Sequence, residues 1–156
     1  MRGVATKPMS LLLLAVAWSC TGAAVEGEAG AVLFKQHCAA CHQADGAGIP
    51  GIAPPLKGAH WQKLLQERTY LPRVAAFGIA GPMRVGDAAY NSAMPAQSQL
   101  TEEQLAEAIN FLAAGLNAAN LPPGWQRYEA AELASVRATP HSGNEQRLLR
   151  RKILTP

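Results

Sequence analysis

Residues 36 to 43 read Gln-His-Cys-Ala-Ala-Cys-His-Gln, so Cys38 and Cys41 stand one helical turn apart with His42 directly after them. Two thiols at this spacing have three chemical uses: a redox dithiol or plain disulfide, half of a zinc site, or an anchor for a covalent group. The residue that follows discriminates among them. A haem carries two vinyl groups to which such thiols add as thioethers, and the adjacent histidine then lies beneath the iron as its proximal ligand. A zinc site would need further ligands, and apart from Cys20 the chain offers only His37, His60 and His141. A thioredoxin-like dithiol belongs in a βαβ context, which the sequence lacks, while a structural disulfide between Cys38 and Cys41 stays chemically open. The motif is therefore read as covalent attachment of one haem c through Cys38 and Cys41, with His42 on the iron.

An electron-transferring iron also needs a ligand on its other face, and a thioether is the soft, neutral choice that raises the reduction potential. Beyond the N-terminal region two methionines offer one, Met83 and Met94.

These residues must be positioned by helices. Gly30, Leu33, Phe34, His37, Cys38 and Cys41 fall on one face of a helix expected over Ala29 to Ala40. The Gly/Pro-dense stretch from Gln43 to Lys57 is a loop that must be held by whatever it wraps. Short helices are expected at His60 to Glu67 and Leu71 to Ile79, the second with Pro72 in its first turn, and Gly81 to Ala93 is expected to be irregular. Thr101 with Gln104 makes a capping box and Leu100 with Leu105 a hydrophobic staple, opening a helix whose stripe is Leu105, Ala108, Ile109, Leu112 and Leu116. After Leu121-Pro122-Pro123-Gly124, two more helices are expected, about Tyr128 to Arg137 and Gly143 to Ile153, the latter opened by Ser142 and Glu145. No strand and no internal repeat is read, and the fold class is all-α.

Over residues 29 to 116 the chain resembles the class I, single-haem bacterial cytochromes c. The likeness rests on Cys38-Ala39-Ala40-Cys41-His42, on Gly30 and Phe34, which in that family pack against an aromatic of the last helix, here Phe111, and on Ala53-Pro54-Pro55-Leu56-Lys57-Gly58. The resemblance implies a cytochrome c-like helical fold around one covalent haem. It also implies that the carbonyl of Pro54, with Pro55 second in line, accepts the His42 ring proton and so fixes tautomer and orientation. Met94, in Ala93-Met94-Pro95 just before the capped helix, matches the family's ligand loop; Met83 matches a position that is usually just apolar. Trp61 and Tyr90 are candidates to reach the haem propionates, with Arg73 offering charge, although core packing explains the aromatics equally well. The run from Val74 to Pro82 is similar to cytochromes that serve periplasmic dehydrogenases.

The N-terminus carries Arg2 and Lys7, an apolar run from Leu11 to Trp18, too short to span a bilayer, and small residues through Ala24. Residues 1–24 are read as an export signal, 25–116 as the cytochrome domain and 117–156 as a C-terminal helical extension. Cys20 is either discarded with the signal or kept as a lipid anchor, with no transmembrane helix in the mature chain. Export removes two bases and no acid, so the formal charge of +3 falls to +1, which argues against nucleic acid as a partner. The expectation is a periplasmic electron carrier or electron-transfer subunit, not an enzyme, moving single electrons between a dehydrogenase, reductase or oxidase and another redox centre. Two other readings stand beside it: a haem enzyme or gas sensor in which Met94 is displaceable or exchanges with Met83, and a haem-free redox protein. The extension holds Arg147, Arg150, Arg151 and Lys152 near its end, read as a solvated helical face, with docking to an acidic partner as the alternative.

Overall fold

The computed structural model describes residues 22–155. Residues 1 to 21, which hold Cys20 and nearly all of the expected export signal, lie outside the described residues.

Helix α1 spans Gly22–His37 and α2 spans Ala39–His42. The single helix expected here is thus interrupted at Cys38, whose φ of −117° departs from helical geometry, although Cys38 N–H still donates to Phe34 O at 2.8 Å and His42 N–H to Cys38 O at 3.0 Å. The chain leaves α2 at Gln43, the one non-glycine residue with positive φ among the described residues. The following loop closes on itself: Gly48 N–H donates to His42 O, Leu56 N–H to Gly46 O, and Lys57 pairs with Asp45 at 2.7 Å.

Helices α3 (His60–Gln66) and α4 (Tyr70–Phe77) follow as expected, with Pro72 tolerated in the first turn of α4, where its missing N–H has no helical partner to lose. Gly78 ends α4 with φ of +74° and its Cα lies so close to Met94 O that no side chain fits between them. The segment expected to be irregular contains a small antiparallel hairpin, β1 (Met83–Val85) with β2 (Ala88–Tyr90), in the register Met83 to Tyr90. The two-residue turn Gly86-Asp87 is the local signal for it, with Gly86 at φ +57°.

Helix α5 (Glu102–Asn110) is opened by the expected capping box: Thr101 Oγ1 accepts from Gln104 N–H while Gln104 Oε1 accepts from Thr101 N–H. Leu100 and Leu105, the expected staple, are both buried. The helix then widens into a π-helical segment, Phe111–Leu116. A π turn leaves carbonyls without their usual partners. Asn117, fully buried, answers one of them: its Nδ2 donates to Leu112 O at 3.0 Å and also to Leu56 O at 2.7 Å, fastening the loop after α2 to the end of this helix.

Helix α1 packs on α5, and the extension adds α6 (Ala130–Arg137) against α4 and α5 and α7 (Gly143–Leu154) against α3 and α4. At the α1/α5 crossing a Cβ on Gly30 would meet Glu107 O at 2.5 Å and Phe111 Cβ at 3.0 Å, and the Phe34 and Phe111 rings meet at 5.3 Å with their planes tilted by 53°, the pairing implied by the family likeness. Three ion pairs hold the extension to the rest: Arg68 with Glu132, Arg127 with Glu107, and Arg137 with Glu102. Of the four cations read as a solvated helical face, Arg151 and Lys152 are exposed, Arg147 is half-buried and Arg150 is buried. Among the described residues no helix is long and apolar enough to cross a membrane.

Candidate functional site

A cavity of about 210 Å³ runs through the centre of the fold and is lined by residues from nearly every element. Cys38, Cys41, His42, Pro54 and Met94 all border it, so the structure brings together the five residues that the sequence singles out. Its walls are apolar, built from Phe34, Leu71, Ile79, Leu105, Ile109 and Leu112. Helices α1, α4 and α5 supply most of them because each turns an apolar face to this space.

The break between α1 and α2 places the two thiols differently. Cys38 is half-buried against the core and Cys41 is exposed. Burial pushes the Cys38 thiol up to about 11, which makes it a poor nucleophile at neutral pH and the reverse of an activated redox dithiol.

His42 is buried at 6% exposure, and its Nδ1 lies 2.9 Å from the carbonyl oxygen of Pro54. A carbonyl only accepts, so Nδ1 carries the proton and Nε2 keeps its lone pair, on a residue that lines the cavity. Burial holds the imidazole below its usual pKa, the Pro54 bond acting in the opposite direction, and the neutral ring that results is the form able to ligate a metal. The carbonyl of Pro55, second in line at the sequence level, instead accepts from Trp61 Nε1 at 3.3 Å.

Met94 is half-buried on the cavity wall, and its main chain is fixed by a two-bond bridge with Ile79: N–H to Ile79 O at 2.9 Å and O from Ile79 N–H at 3.1 Å. Gln97 N–H donates to Ala75 O and Gln97 Nε2 to Pro95 O, so the Met94-Pro95 turn is pinned to Ile79 just beyond α4 and, through Gln97, to α4 itself. Met83, from β1, borders the same cavity.

Other expectations fall differently. Tyr90 and Trp61 line the cavity, but the Trp61 N–H is already engaged by Pro55. Arg73 does not border it; the cation that does is Arg150, from α7. His37 borders the cavity; His60 is half-buried; and His141 meets the Phe77 ring edge-on at 5.8 Å. Sequence reasoning missed Arg150, since i−4 from it stands Gln146, a polar residue that is nonetheless fully buried. Among the described residues no group of three or more His, Cys, Asp or Glu side chains is placed to hold a metal ion.

The residues fit a haem: thiols at vinyl spacing, a neutral imidazole with one nitrogen free, a thioether bordering the same cavity and walls that are largely apolar. The sequence model of the family described as cytochrome c matches residues 27–115. A protein named cytochrome c-552 from Thermus thermophilus is 36% identical over 119 residues, spanning 75% of this chain and 80% of the relative. A second cytochrome c-552 from the same species is 37% identical over 111 residues, spanning 70% of this chain and 84% of the relative. The cytochrome c subunit of a quinone alcohol dehydrogenase from Gluconobacter oxydans is 33% identical over 116 residues, which is 73% of this chain but 23% of that subunit.

Proposed function

Given that this chain belongs to the cytochrome c family, and is thus an electron-transfer protein with covalently bound haem c, we propose that it is an exported single-electron carrier whose iron is held by His42 and Met94. Haem c, when bound, supplies a one-electron iron couple. In this reading Cys38 and Cys41 tether the group, and Pro54 holds the proton on His42 Nδ1 so that Nε2 ligates. The Ile79–Met94 bridge presents the thioether without needing to move. A rigid ligand frame on both faces suits a carrier, because little has to rearrange when an electron arrives or leaves. The apolar walls keep water from the iron and favour a raised potential.

The observation that carries the reading is the His42 Nδ1 to Pro54 O bond, since it sets the tautomer that ligation requires and occurs on the residue that follows the thiol pair. Residues 1–24 are proposed as an export signal to the periplasm, 25–116 as the cytochrome domain and 117–156 as its extension, with Cys20 as a membrane tether if it is retained. The mass of the mature N-terminus decides between tether and release. The donor or acceptor proposed is a periplasmic dehydrogenase or reductase, supported by the dehydrogenase cytochrome subunits among the relatives.

Met83 on the same cavity supports a second reading, in which Met94 is displaceable and the iron binds small ligands. Optical spectra of the protein matured in an exporting host, oxidised and reduced, with carbon monoxide added to the reduced form, separate the two. A low-spin haem with a methionine-to-iron band and no response to carbon monoxide supports the carrier. A carbon monoxide-reactive haem removes Met94 as a fixed ligand.

A further inference from the structure

Arg150 is the anomaly of the cavity. It stands in α7, beyond the residues that the family model matches, yet it borders the same space as His42 and Met94 and is only 5% exposed. Buried guanidinium groups are ordinarily matched by a carboxylate, because an unpaired buried charge is costly. The ion pairs among the described residues join Lys57 to Asp45, Arg68 to Glu132, Arg127 to Glu107 and Arg137 to Glu102, and Arg150 is in none of them. Its hydrogen bond runs from Nη1 to Tyr70 Oη at 3.3 Å. Burial pushes the Tyr70 phenol up, so it stays neutral and supplies no counter-charge. On the adjoining α3, His60 feels the Arg150 cation and its Nε2 is buried without a partner. Among the described residues, this corner of the cavity therefore has donors, a positive charge and no anion.

We propose that Arg150 binds a propionate carboxylate of haem c, its guanidinium fork forming the charge-assisted pair that nothing in the described chain provides, with Tyr70 steadying the fork from behind. The inference rests on the haem reading above. A planar guanidinium matches a carboxylate through two parallel N–H bonds, which a lysine ammonium cannot reproduce. The charge also lies where it favours the reduced iron, whose net charge is one unit less positive. Arg150 would thereby make the C-terminal extension part of the cofactor site.

The test uses the full chain matured with haem, as wild type, Arg150→Gln, Arg150→Lys and, as a control on the exposed neighbour, Arg151→Gln. Covalent haem mass is read first: its absence from the wild type would refute the haem reading itself, independently of Arg150. With haem attached, the propionate bending mode in the resonance Raman spectrum and the reduction potential are measured. Arg150→Gln should shift the bending mode and lower the potential; Arg150→Lys should shift the mode while keeping the potential close to wild type; Arg151→Gln should change neither. A bending mode that stays at its wild-type position in both Arg150 variants overturns the proposal, whatever the potential does. Should the glutamine variant fail to fold, the mode in the lysine variant decides alone.

Discussion

The side chain of Asn110 hydrogen-bonds both main-chain groups of Tyr128, Nδ2 donating to the carbonyl at 2.9 Å and Oδ1 accepting from the N–H at 2.8 Å. Asn110 ends α5 and is 1% exposed, so one amide acts as the hinge pin between the cytochrome core and its extension. Asn110→Ala strands two buried backbone groups and should cost about 2–4 kcal/mol. Denaturant unfolding of the haem-loaded protein measures it; a loss under about 0.5 kcal/mol would mean that water replaces the amide without penalty.

Gly30→Ala should destabilise the crossing of α1 and α5. Alanine improves helix propensity by about 1 kcal/mol, but its Cβ would sit 2.5 Å from Glu107 O and 3.0 Å from Phe111 Cβ, and overpacking of that kind costs about 1–3 kcal/mol. Because the atoms it would meet are backbone and Cβ rather than the far end of a flexible chain, the clash should win. A thermal midpoint equal to or above that of the wild type contradicts this.

Replacement of Met94 by Leu should give a reduced protein that binds carbon monoxide, whereas Met83→Leu should leave the spectrum unchanged. The difference lies in the main chain: Met94 is bridged on both sides to Ile79, and Met83 sits on a three-residue strand of an isolated hairpin. The opposite pattern would transfer the axial role to Met83.

Acid should loosen the extension before it unfolds the core. Hydrogen bonds from Arg68, foremost, hold the Glu132 carboxyl below its ordinary value of 4.5, so the pair's stabilisation is present above that value and is lost as pH falls through the lower folded pKa. Arg137 does the same for Glu102. Both Arg68 and Glu132 are over a third exposed, so solvent keeps the effect to about 0.2–1 kcal/mol. The fluorescence of Trp125, in the segment that Arg68 grips through Gln126 O and Arg127 O, should report the change, and Glu132→Gln should abolish its pH dependence. An unaltered pH profile in that variant refutes the assignment.

Much of the site is legible in the sequence because its signals are local. Cys38, Cys41 and His42 are near neighbours in the chain, Thr101 and Gln104 cap the helix they announce, and Met94 precedes it by a few residues. What escapes the sequence is set by partners far along the chain. The burial of Arg150 depends on α7 lying against α3 and α4, and its polar companion Gln146 disguises the buried face. Asn110 and Asn117 look like indifferent helical residues until Tyr128 and Leu56 are placed beside them. The interruption at Cys38 and the π segment at Phe111–Leu116 alter the pitch of helices without altering their apolar stripe, so periodicity passes over both. The hairpin differs: Gly86-Asp87 marks it, but strands of three residues carry too little alternation to be recognised alone.

The cavity's wall begins at Phe34 and is completed by Arg150, near the two ends of the described chain. The chamber therefore closes only when the last helix of the chain reaches α3 and α4, and its enclosure depends on contacts between segments far apart in the sequence.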